Sequence, residues 1–186
     1  PFGEYSSAYR KIVMASGFQA ALGQQSGVAY AGSDIYTLPR FSMTESYGDI
    51  DRFRMAVRAL PLPVSGINPQ DPYLTASSRP AIGFTVDPAL EPSIKKMSCF
   101  VSGQEKPHVE FMGGNRIEIR LDKNFEDERA RINCTLPGST AEEDDDARWR
   151  WFGLLLTLDP SVLKGNMPQE PLMEDGHKIS GTGLQP

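Results

Sequence analysis

Two kinds of periodicity divide the chain. Up to residue 64 the apolar positions recur at helical spacing. Ser6 and Ser7 are good N-caps for a helix running through Tyr9, Ile12, Val13 and Met14, and Gly17 supplies its C-terminal stop. Phe18 to Leu22 reads as a short strand, Gly23-Gln24-Gln25-Ser26-Gly27 as a loop, and Leu38-Pro39-Arg40-Phe41 as a second short strand. Asp49 then caps a clearer helix in which Ile50, Phe53, Val57 and Leu60 form one apolar stripe, ended by Pro61 and Pro63. Strand and helix alternate here as in a layered or barrel-like α/β domain, over too short a stretch to be a whole one.

From residue 81 the period becomes two. Ile82, Phe84 and Val86 alternate with small or polar residues, and Met97, Cys99 and Val101 share one face of the next strand. Gly113-Gly114-Asn115 is a turn before Ile117, Ile119 and Leu121. Ile132, Cys134 and Leu136 line another strand, and Trp149 to Leu158 forms a last, longer one. Five or six strands without a helical pattern predict a small antiparallel β-sandwich over 81–159. Residues 65–80, rich in Pro, Ser, Gly and Asn, read as a linker, and 160–186 as a flexible tail.

Composition adds limits. The chain has 186 residues, among them 17 Gly and 15 Pro, which fits many turns and short strands. The net charge of −5 is accounted for by Glu142, Glu143, Asp144, Asp145 and Asp146. The balance elsewhere is neutral, so no basic face for nucleic acid is expected. The acidic run reads as a solvated loop, with Ca²⁺ binding as the alternative, although it lacks the spaced Asp-Gly pattern of a calcium loop. No apolar run approaches the roughly 20 residues of a membrane span, so no transmembrane segment is expected. The chain opens on Pro1, with neither Met nor a leader pattern, and is expected to be part of a longer protein.

Candidate chemistry is sparse. Cys99 and Cys134 fall on the apolar faces of their strands, either as a disulfide of an oxidising compartment or as two buried thiols. His108, beside Pro107 at a turn, and His177, in the tail, pair with no Cys or carboxylate at ligand spacing, so no metal site is assigned. Neither a nucleophile elbow nor a phosphate-cradling loop is present. Asn133-Cys134-Thr135 matches the glycosylation triplet, a pattern common by chance. Trp149 and Trp151 share a strand face opposite Phe152, Leu154 and Leu156. They can form an exposed platform for sugar rings, or both faces can be buried, the reading favoured here.

The opening Pro1-Phe2-Gly3-Glu4-Tyr5-Ser6 resembles the Pro-aromatic-Gly motif of NodB-type polysaccharide deacetylases, where it ends a barrel strand and leads into a helix. Ser16-Gly17-Phe18-Gln19-Ala20-Ala21 is similar to the passage that follows in that family, and Leu38-Pro39-Arg40-Phe41 to its next strand. The resemblance covers about residues 1–60. It implies that 1–64 is the C-terminal part of a deformed (β/α) barrel, with the sandwich as an accessory domain. It also implies a parent enzyme that removes acetyl groups from a polysaccharide with a divalent metal, zinc in the usual case, held by an Asp and two His. Those ligands and the catalytic base lie in motifs N-terminal to this one and have no counterpart here, so the chain alone is expected to be inactive and to partner the missing portion of the barrel. Pro1, Phe2 and Gly3 match the motif that lines the substrate groove, with Tyr5 beside them as a further substrate contact. The backbone N–H of Phe2 is implied as an oxyanion donor. Arg40 stands nearest to the His of the family's late Leu-x-His motif, so the resemblance assigns no general acid. An exported or cell-envelope parent is implied, and a Cys99–Cys134 bond fits it. The alternative function is a non-catalytic carbohydrate-binding module on Trp149 and Trp151, or a purely structural one.

Overall fold

The computed structural model of the chain describes residues 3–105, 107–138 and 148–164. Helix α1 (Ser7–Ala15) is capped by Ser6, whose side chain accepts from the Tyr9 amide, and it ends before Gly17 at φ +80°. Helix α2 (Ile50–Arg58) is capped by Asp49, which accepts from the amides of Asp51 and Arg52. Both helices form where their caps predict, but α2 ends at Arg58, before the expected Leu60 of its stripe, because Ala59 turns extended and Leu60 pairs with Arg150 as a strand.

Among the described residues nine strands follow: β1 (Leu60–Pro61), β2 (Val64–Asn68), β3 (Tyr73–Leu74), β4 (Ile82–Val86), β5 (Ser98–Val101), β6 (His108–Phe111), β7 (Arg116–Arg120), β8 (Arg129–Pro137) and β9 (Trp149–Leu158). One sheet runs β2-β4-β7-β6, antiparallel throughout. In the other, β5, β8 and β9 are antiparallel, while β1 and β3 pair parallel with the two ends of β9. The alternating residues predicted to point inward do so. Ile82, Phe84, Val86, Ile117 and Ile119 from one sheet share a core with Val101, Ile132, Cys134, Leu136, Leu156 and Leu158 from the other. Phe84 and Phe152 meet across it with ring centroids 4.8 Å apart. Truncating a buried Phe of this kind to Ala costs about 3–5 kcal/mol. The chain is therefore a mixed α/β molecule dominated by two sheets with a common core.

Several expectations change. Residues 65–80 contain most of β2 and all of β3 rather than an extended linker. Gly66 sits at φ +56° where the β2–β4 register slips, and this bulge lets a Gly- and Pro-rich segment stay paired. The strands expected around Phe18–Leu22 and Leu38–Phe41 reduce to a single parallel bridge, Leu22 to Leu38. Within the stretch expected to be a tail, Pro160–Lys164 forms helix α3 with Val162 and Leu163 packed on the core. His108 opens a strand instead of sitting in a turn. A 3-10 segment, Pro88–Lys96, had no sequence forecast. The acidic run, His177 and residues 165–186 lie outside the described residues. Among the described residues no helix is long and apolar enough to cross a membrane.

Candidate functional site

The outer face of β9 presents Trp151, Gly153 and Leu155, and the N-terminal segment lies over it. Gly153 makes this approach possible, since a Cβ there would stand 2.3 Å from the Ser26 carbonyl oxygen. Phe41 meets the Trp151 ring edge-on at 5.4 Å between centroids. The overlying segment is held by backbone hydrogen bonds from Ala21 to Ile35, Leu38 to Ala21, Gly23 to Leu38 and Arg40 to Gln25, all 2.8–3.1 Å. Glu4 pairs with Arg129 of β8, and the Ser7 amide donates to Asp71 at 3.1 Å, which anchors the start of α1 to the sheets.

Between this segment and β9 is a cavity of about 270 Å³. Its lining includes apolar Pro39, Leu62, Val64 and Trp151 and polar Tyr5, Gln25 and Thr37. Burial raises the Tyr5 phenol above its ordinary value of 10.0, while a hydrogen bond with the Thr37 side chain acts the other way. The phenol is therefore neutral at physiological pH. Gln25 Nε2 donates to the Thr37 carbonyl at 2.6 Å. Gln25 Oε1 is buried and has no hydrogen-bond partner among the described residues. Asp34, the charged side chain on the wall, is hydrogen-bonded by Arg10, which holds its carboxyl below the usual carboxylate range. The Tyr36 amide also donates to it, at 3.0 Å.

Tyr5 and Trp151, singled out separately in the sequence, thus meet in one cavity. Gly3 lines a second, open hollow of about 460 Å³ with Tyr9, Arg10, Phe18 and Arg40, and Tyr5 borders both. Trp149 stays at the far end of β9, 37% exposed, while Trp151 is half-buried, so the two do not form an open platform. Trp151 Nε1 instead reaches Asn133 Oδ1 at 3.4 Å. Cys99 and Cys134 face each other in register across β5 and β8 and are disulfide-bonded. Pro1 and Phe2 lie outside the described residues. Gln25 and Thr37 were not singled out in the sequence. The available signal was the pair of glycines, Gly23 and Gly27, bracketing polar residues, which read only as a loop.

Among the described residues no three His, Cys, Asp or Glu side chains are grouped to hold a metal ion. His108 stands exposed on β6, its nearest carboxylate oxygen, on Glu110, at 3.9 Å, and Asp34 is engaged by Arg10. The divalent metal implied by the resemblance has no seat on these residues, and no step is routed through it. Comparison with family models, with curated proteins and with solved structures finds no match.

Proposed function

We propose that this chain is the C-terminal portion of a polysaccharide deacetylase, contributing one wall of the substrate groove and the two-sheet body beside it. The observation that carries the reading is the uncovered apolar surface of the N-terminal segment. Ile50, Phe53 and Val57 of α2 are 59%, 49% and 63% exposed, and Tyr9, Ile12, Phe18 and Leu22 are exposed as well. A self-sufficient two-sheet molecule has no use for such a surface, whereas helices on the outside of a barrel bury a stripe against strands. The lone parallel bridge between Leu22 and Leu38 fits two barrel strands lacking their neighbours. Gly3 adds support for the motif. It sits at φ +75°, and a Cβ there would stand 2.6 Å from Gln24 Cβ, so a glycine is required at that position.

In this reading the reaction is acyl transfer from a sugar nitrogen to water, and acetate departs. The part assigned to this chain is charge stabilisation: the Phe2 backbone N–H donates to the developing oxyanion, flanked by Pro1 and Gly3. The metal ligands and the base belong to the remainder of the parent. The test is acetate release from an N-acetylated polysaccharide by the natural protein carrying this sequence. Release that stops with a chelator and returns with Zn²⁺ is expected. An intact natural protein that releases none with any divalent metal overturns the proposal.

A further inference from the structure

We infer that the open hollow beside α1 seats a further β-strand from the remainder of the parent protein, and that this strand carries an Asp or Glu whose carboxylate pairs with Arg40. The inference rests on the reading above that more chain covers this surface. It does not depend on the reaction assigned to that chain.

Three observations meet in this hollow of about 460 Å³. The first is a free strand edge. Ala21 donates to Ile35 and accepts from Leu38, and Gly23 donates to Leu38. Successive residues of an extended chain turn their N–H and C=O groups to opposite sides, so those of Leu22 point away from Leu38. Among the described residues nothing is hydrogen-bonded to them. An unpaired edge of this kind is a template for another strand. The second observation is apolar surface, since Tyr9, Phe18 and Leu22 line the hollow and are exposed. The third is Arg40. The other charged side chains on the wall are engaged, Arg10 by Asp34 and Glu4 by Arg129. Among the described residues the Arg40 guanidinium has no ion pair or hydrogen bond. A solvated Arg needs no partner, but one enclosed beneath a docked segment does, because an uncompensated buried charge is far costlier than a paired one. Covering Tyr9, Phe18 and Leu22 encloses Arg40 with them, so the covering strand must bring an anion. In a protein strand that anion is a carboxylate, which the planar guanidinium fork fits.

The test uses the natural protein carrying this sequence and its Arg40→Lys variant. A water-soluble carbodiimide joins an amine to a carboxylate with which it is in contact and leaves arginine unreacted, so the substituted position reports the partner of Arg40. Mass spectrometry of the digest is expected to find position 40 joined to an Asp or Glu outside residues 1–186. In the unsubstituted protein, hydrogen exchange is expected to show the Leu22 amide protected to within about tenfold of the Gly23 amide, whose bond to Leu38 lies inside the segment. Three results overturn the inference. One is a link from position 40 only to residues 1–186, of the same or a second copy. Another is no link there while other lysines of the sample react. The last is a Leu22 amide that exchanges freely while Gly23 stays protected. If Arg40→Lys does not fold, the exchange data decide together with the reaction of Arg40 with phenylglyoxal, which a docked strand blocks and an open hollow permits. An overturning result alongside intact acetate release rejects the docked strand and spares the deacetylase reading. A link outside residues 1–186 without acetate release supports the strand and rejects that reading. A natural protein with no residues beyond these rejects both.

Discussion

Asp159 shows how much one side chain can organise. It follows β9, accepts from the Tyr73 hydroxyl at 2.6 Å, and caps α3 through the Ser161 amide at 2.9 Å. The Ser161 hydroxyl donates to it as well, and these hydrogen bonds, Ser161's first, lower its pKa from 3.8 to about 2. A depressed carboxylate stabilises the fold fully above its unfolded value and loses that contribution as the pH falls through its folded value. Asp159→Asn keeps the shape and loses the charge. It should lower the urea midpoint near neutral pH, and the gap from the parent protein should close as the pH drops from about 4 to about 2. A gap that persists unchanged at low pH would assign the effect to packing.

At the scale of elements, the seam between the N-terminal segment and β9 depends on Gly153. Gly153→Val would force the chain at Ser26 away from the sheet, because even a Cβ meets its carbonyl oxygen at 2.3 Å. Limited proteolysis should then cut within residues 18–47 much faster, by about tenfold or more for a loss of over 1.4 kcal/mol of local stability, while β4, β7 and β8 remain protected. Equal cleavage of both proteins would contradict this docking. The strands of the core were legible in the sequence because Ile82, Phe84, Ile117 and Ile132 alternate cleanly with polar neighbours, and the two helices because Ser6 and Asp49 cap them. Strands β2 and β3 were not, since their pairing comes from the distant partners β4 and β9 while Gly66, Pro69 and Pro72 locally imitate a linker. The cavity was half legible. Tyr5 and Trp151 carried aromatic signals, but Gln25 matters only because folding buries its oxygen, which no local pattern records.

At the scale of the whole molecule, the two sheets are complete around their core, whereas α1 and α2 carry apolar surface that nothing among the described residues covers. Isolated residues 1–186 should therefore bind an apolar dye and self-associate in sedimentation experiments. Phe53→Glu with Val57→Lys should reduce both while leaving the melting temperature of the sheets nearly unchanged, because surface substitutions typically shift stability by no more than about 0.5 kcal/mol. A monomeric, dye-silent parent chain would remove the main support for a missing structural partner. That partner is the centre of the account, and the intact mass of the natural protein, with its N-terminal sequence from the same sample, tests it most directly. The account predicts a mass well above 20.5 kDa, with an Asp-Asp strand end and a His-x-x-x-His helix upstream. A natural protein of 20.5 kDa beginning at Pro1 would contradict it.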